Sequence, residues 1–193
     1  MPNLERSSST FAPMLSRKVL VQNITNLTDA RYFAAWCVDY LSYNQNQDSD
    51  YFIPYENVLE IKEWVEGPKT LIESNAIEYL EEIDGQILRD AYSSLPLTKE
   101  AFFRTSLTEV KKGFPAGNYI IKIKANDLKE LNSIPDDKLF GINLYLDVTE
   151  LDFSSIKELP DHGLVIQGGE EEKVGLRSFE DIQDLMEELE IED

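Results

Sequence analysis

Several short apolar runs in this chain end in a polar or charged residue, the pattern expected where a scaffold holds side chains for chemistry. Gln22 and Asn23 follow Val19-Leu20-Val21, and Glu73 closes Thr70-Leu71-Ile72. Arg89 and Asp90 follow Gln86-Ile87-Leu88, and Arg104 follows Ala101-Phe102-Phe103. Lys122 and Lys124 flank Ile123, Asp147 lies near the end of Ile142 to Val148, and Gln167 follows Leu164-Val165-Ile166. Arginine and lysine hold phosphate or carboxylate through charge-assisted hydrogen bonds. The set therefore suits a small anion, such as a phosphorylated metabolite, and Asn23, Arg89, Arg104, Lys122, Asp147 and Gln167 are its candidate ligands. Gly168 and Gly169 add a second feature, because two glycines after a strand let backbone N–H groups approach a phosphate. Glu170, Glu171 and Glu172 follow directly and would repel an anion. The competing reading is that these charges pair with one another and that the glycines form a turn.

Other reactive residue types are scarce. Cys37 is the sole cysteine and His162 the sole histidine. An internal disulfide is excluded, as is a zinc site built from two or three histidines, and no metal or cofactor is implied. Cys37 falls on an apolar helical stripe and reads as a core residue, while His162, in Pro160-Asp161-His162-Gly163, reads as a turn residue. Trp36 and Trp64 read as packing between helices and sheet.

The formal net charge is −19 over 193 residues, which argues against nucleic acid and against anionic membranes as partners. No apolar run approaches the ~20 residues that span a bilayer, and the start of the chain lacks the apolar stretch of a secretory signal. Together with the single cysteine this predicts a cytoplasmic protein.

The elements that would position the polar set alternate. Candidate strands are Lys18–Asn23, Tyr40–Tyr43, Thr70–Glu73, Gln86–Arg89, Ala101–Arg104, Tyr119–Ile123, Ile142–Val148 and Leu164–Gln167. Helical spacing joins Ala30, Phe33, Ala34 and Cys37, then Val58, Ile61 and Val65 after Pro54. Shorter helical segments lie near Ile77–Ile83, Leu107–Lys111, Asp127–Leu131 and Phe153–Leu159. A final helix carries Phe179, Ile182, Leu185, Met186 and Leu189 on one face, with Ser178 as its N-cap. Regular βα alternation with nearly continuous apolar strands predicts a parallel sheet covered by helices. The count fits a compact (β/α)8 barrel with short or partly degenerate helices, spanning 16–193 after a flexible segment over 1–15. An open doubly wound sheet is the alternative, and the region from Lys99 to Phe114 is where the two diverge.

Two stretches resemble phosphoribosylanthranilate isomerase. Ile24-Thr25, Asp29-Ala30 and Asp39 match the spacing of that family's opening strand, I-C-G-I-T, its D-A helix start and its following G-A-D segment. Gly168, Glu170, Gly175 and Arg177 are similar to its closing S-G-V-E and P-G-x-K-D stretch, although an apolar strand ending in two glycines also resembles its seventh strand. The resemblance covers the first and last parts of the barrel. It implies the same fold and a link to tryptophan biosynthesis through an isomerisation run by proton transfer.

The departures fall on the chemistry. The resemblance places the family's base at Gln22, where an amide replaces a thiol, and its acid at or near Leu164, in an apolar run. The family's Arg after its second strand is replaced by Asp50. Neither an amide nor an alkyl chain exchanges protons near neutral pH. The sequence thus predicts a barrel inactive in that isomerisation and retaining a small anionic ligand. The alternatives are an isomerase or lyase using relocated groups, such as Asp147 with a lysine, and an acidic protein-interaction module.

Overall fold

Val19, Leu20 and Val21 are all fully buried, which a strand achieves only when both of its faces are covered. The computed structural model, which describes residues 14–75, 80–89, 99–168 and 179–191, shows how this is done throughout the sheet. Eight strands occur: β1 (Val19–Gln22), β2 (Tyr40–Asn44), β3 (Lys69–Glu73), β4 (Gly85–Leu88), β5 (Glu100–Thr105), β6 (Gly117–Lys122), β7 (Ile142–Asp147) and β8 (Gly163–Gln167). They pair in chain order into a closed barrel. Closure comes from parallel pairing of β1 with β8, running from Val19↔Leu164 to Gln22↔Gln167, so the sheet is not an open one.

Alternate residues face opposite sides. Leu20, Tyr40, Leu71, Ile87, Phe102, Ile120, Tyr145 and Val165, one from each strand, form the interior cluster. Their neighbours, such as Val19, Val21, Ile72, Ile121 and Leu164, pack outward against the helices. Tyr40, Phe102 and Tyr145 meet edge to face at centroid distances of 5.0, 5.1 and 6.1 Å. Near the amino-terminal ends of the strands, Glu100 accepts from the Tyr40 hydroxyl at 2.8 Å and from Lys69 Nζ at 2.7 Å. That tie braces the floor of the barrel.

The outer layer is thin. The helices are α1 (Leu27–Ala35), α2 (Tyr55–Glu63), α3 (Leu107–Lys112), α4 (Leu128–Leu131), α5 (Phe153–Lys157) and α6 (Phe179–Leu189). β5 and α3 lie within the Lys99–Phe114 region, so this stretch supplies a full strand–helix unit. Residues 77–79 of the expected Ile77–Ile83 helix, and Ser178, lie outside the described residues, and Leu80 to Ile83 form a turn. Met14 and Leu15, expected to end a flexible lead-in, are tied instead to the end of α6: Leu15 bridges Glu190, and Ile191 N donates to Met14 O at 2.8 Å. No helix among the described residues is long and apolar enough to cross a membrane.

Two expectations fail at helix ends. Cys37 is exposed, not in the core, because α1 stops at Ala35 and Cys37 adopts a left-handed φ of 55°, leaving Val38 to enter the core. Trp64 caps α2 and is 71% exposed, so it does not pack on the barrel. The start of α1 is well specified. Asn26 Oδ1 accepts from Asp29 N at 2.9 Å, and Asn26 Nδ2 donates to the Asp29 carboxylate at 3.0 Å. Asn26→Ala is expected to lower stability by about 1 kcal/mol, read as a shift in the urea midpoint at unchanged slope.

Candidate functional site

Side chains on one face of a strand recur every second residue. Counting two residues on from each interior apolar residue gives Gln22, Ser42, Glu73, Arg89, Arg104, Lys122, Asp147 and Gln167. All of these but Ser42 are polar residues singled out from the sequence, and they share the interior register at the carboxyl ends of the strands, the end that carries function in this fold; Asn23 falls one residue off it.

Arg104 is the centre of the site. Its Nε and Nη2 donate to the two carboxylate oxygens of Glu73 at 2.9 and 2.7 Å, a forked pair that crosses over β4. Nη2 also donates to Gln22 Oε1 at 2.7 Å, and Nη1 reaches Asp147 Oδ2 at 3.5 Å. The Arg104 side chain is 24% exposed and the two carboxylate side chains 5%. Burial opposes the guanidinium charge, but the Glu73 hydrogen bonds and the charges of Glu73 and Asp147 outweigh it and raise its pKa above the ordinary arginine value.

Amides complete the lining. Gln22 Nε2 donates to Asp147 Oδ2 at 3.4 Å and to Gln167 Oε1 at 3.3 Å. Asn23, held at a left-handed φ of 59° that asparagine tolerates, donates to Gln167 Oε1 at 3.0 Å and accepts from Asn44 at 3.4 Å. Thr149 fixes Asp147 from behind, its backbone N–H and Oγ1 donating to Oδ1 at 3.2 and 2.7 Å. Ser42, Asn44 and Thr149 were not singled out from the sequence. The alternation Tyr40-Leu41-Ser42-Tyr43-Asn44 was the available signal for the first two.

The remaining candidates are placed differently. Arg89 is on the rim, 61% exposed, with its Nε 4.0 Å from Glu73. Lys122 pairs with Glu150 at 2.8 Å rather than with its register neighbour Asp147. The suggested Asp147–lysine pair is therefore not assembled by Lys122. Gly168 donates its N–H to Gln22 O at 2.8 Å, and a Cβ there would come within 2.5 Å of Ile24 Cδ1, so close packing explains this glycine. Gly169 lies outside the described residues. Asp50 is exposed in the loop after β2.

Leu164 does not face the mouth. It is buried in the outer layer, while Val165 points inward and Gln167 is the residue that β8 contributes to the site. The carboxyl groups at the mouth are instead Glu73 and Asp147, both bound to Arg104. Arginine does not release its proton in proteins and a carboxamide does not titrate. Chemically, the arrangement is a hydrogen-bonded ion network with cationic groups at its rim, in which Ser42 Oγ and Gln167 Nε2 have no hydrogen-bond partner among the described residues.

Closed parallel strands, an interior apolar ring and a polar mouth define a (β/α)8 barrel of the kind whose sites lie at the strand carboxyl ends. Among solved structures it resembles the phosphoribosylanthranilate isomerases. The Thermus thermophilus enzyme matches with a TM-score of 0.66 and 17% identity, over 89% of this chain and 98% of that one. Monomers of the Thermotoga maritima enzyme match with a TM-score of 0.63 and 14% identity, over 86% and 95%. The Pyrococcus furiosus enzyme matches at 0.60 and 14%, over 89% and 97%. At such identities the likeness is one of fold. No protein-family model matches the chain, and no curated protein matches it in sequence.

Proposed function

We propose that this chain is a phosphoribosylanthranilate isomerase-like barrel that does not catalyse that isomerisation and whose mouth holds a small anionic ligand of the sugar-phosphate type. The observation that carries the reading is the Arg104 network: both mouth carboxylates are engaged by one guanidinium, and an amide, Gln22, stands where the resemblance puts the base. A proton-transfer route needs an acid and a base free to exchange protons with substrate. Support for an anion comes from the exposed guanidinium of Arg89, the exposed edge of Arg104 and Lys122 nearby. By the resemblance, the link to tryptophan biosynthesis would then be one of descent or regulation rather than of turnover.

The test uses the purified full chain. Each missing proton-transfer group costs ~10²–10⁴ in rate, so turnover of phosphoribosylanthranilate should fall at least ~10⁴-fold below an ordinary isomerase. Ribose 5-phosphate should raise the melting midpoint, and Arg89→Gln should remove most of that rise. Turnover at an ordinary enzymatic rate would sink the first half of the reading. An unmoved midpoint at millimolar ribose 5-phosphate would sink the second.

A further inference from the structure

At the opposite end of the barrel, a groove of about 350 Å³ opens beneath β7 and β8. Its walls include Arg17, Lys18, Asn143, Asp161, His162 and Gly163. That volume is within the range of small-ligand sites. The charge there departs from the rest of the molecule, because two cations and the only histidine meet one carboxylate in a chain of net charge −19.

The groove is partly preorganised. Arg17 donates to the carbonyl oxygens of Pro160 and Leu159 at 3.0 and 3.1 Å, and its Nε lies 3.6 Å from Asp161. These contacts fix its guanidinium where the chain leaves α5, with the Arg17 side chain only 19% exposed. Asp161, 86% exposed, is the one carboxylate in the groove and is already turned to Arg17. Lys18 next to it is exposed, and no carboxylate among the described residues lies within ion-pair distance of it. Gly163 lets the buried Tyr145 ring pack against the backbone at this wall, since a Cβ there would stand 2.5 Å from the ring. A lysine with no ion-pair partner among the described residues, beside a fixed guanidinium, suits an oxyanion.

We infer that this floor groove is an anion site, separate from the mouth, that takes a small phosphate- or carboxylate-bearing ligand through Lys18 and the fixed guanidinium of Arg17. It is independent of the reading proposed for the mouth.

His162 provides the probe. Burial first, and then the Arg17 charge, hold its pKa below the ordinary histidine value, with Asp161 acting in the opposite direction. An anion bound beside it would favour the protonated ring and so raise that pKa. As the only histidine it gives a single set of imidazole signals by proton NMR. We would titrate the full chain at fixed ionic strength with inorganic phosphate in one arm, acetate in a second and chloride in a third. The expected result is a saturable rise of the His162 pKa with phosphate, acetate or both, and none with chloride. The arm that saturates at lower concentration names the source of the oxyanion. Lys18→Gln should weaken the effect about fivefold and Lys18→Glu more, as an exposed charge pair contributes on the order of 1 kcal/mol. Arg89→Gln, at the far end of the barrel, should leave it unchanged. A His162 pKa that responds equally to chloride, or a phosphate response that survives Lys18→Glu, would overturn the assignment.

Discussion

Arg104→Leu is expected to destabilise the barrel by about 3–5 kcal/mol, the usual cost of leaving buried charges without their partner. The substitution takes four hydrogen-bonded contacts from the mouth and leaves Glu73 and Asp147, each 5% exposed at the side chain, without the guanidinium they share, while Arg89 Nε stays 4.0 Å from Glu73. Like charges in a site poor in water repel, and neither can turn to solvent without abandoning the strand end it occupies. Arg104→Lys keeps the charge but loses the fork to Glu73, and should fall between the two. Replacing the whole set, with Arg104→Leu, Glu73→Gln and Asp147→Asn together, should regain much of the loss, because the penalty lies in unpaired charge rather than in missing attraction. Urea unfolding of the three variants beside the parent decides the matter. A loss below about 1 kcal/mol for Arg104→Leu, or a triple variant no more stable than Arg104→Leu alone, would mean that the network is looser than its geometry implies.

The strands were readable because a barrel strand is covered twice and writes itself as an unbroken apolar run; Val19-Leu20-Val21 and Ile120-Ile121 could be little else. The mouth was readable for a related reason. The residue two places beyond an inward apolar side chain shares its face, which carried Gln22, Glu73, Arg104 and Asp147 to one place. What the sequence could not supply was partnership. Arg104 and Glu73 are separated by β4 and 31 positions in the chain, and no local signal says that one guanidinium will take up both carboxylates. Leu164 shows how little is needed to misplace a role. A shift of one residue turns a strand side chain from one face to the other, and Val165 rather than Leu164 points inward. Cys37 failed for a different reason. The helical spacing of Ala30, Phe33 and Ala34 continues to it on paper, yet the backbone turns left-handed there with no glycine to announce the stop.

Gly85→Ala is the second large expected effect, and it tests the barrel at the floor rather than at the mouth. In an ordinary strand, alanine in place of glycine gains about 0.4–1 kcal/mol by restricting the unfolded chain. Here the steric cost should reverse that sign. Gly85 is in register with Leu71 on one side and Glu100 on the other. A Cβ at this position would overlap Glu100 O, stand 3.1 Å from the carbonyl carbon of Glu100 and 2.8 Å from Leu71 Cδ2. The leucine tip could move, but the Glu100 carbonyl belongs to the backbone of β5 and can retreat only by parting β4 from β5. Overpacking of this kind costs typically 1–3 kcal/mol, and a backbone obstacle belongs at the upper end. For a chain of this size a loss of about 3 kcal/mol lowers the melting midpoint by roughly 6–12 °C. Gly168→Ala is the control. Its Cβ would meet Ile24 Cδ1 at 2.5 Å and Val21 Cγ1 at 3.1 Å, both side-chain atoms, so it should cost clearly less. The order Gly85→Ala below Gly168→Ala in melting midpoint is what the packing requires. Equal midpoints, or a Gly85→Ala variant as stable as the parent, would show that β4 does not sit against β5 in this register.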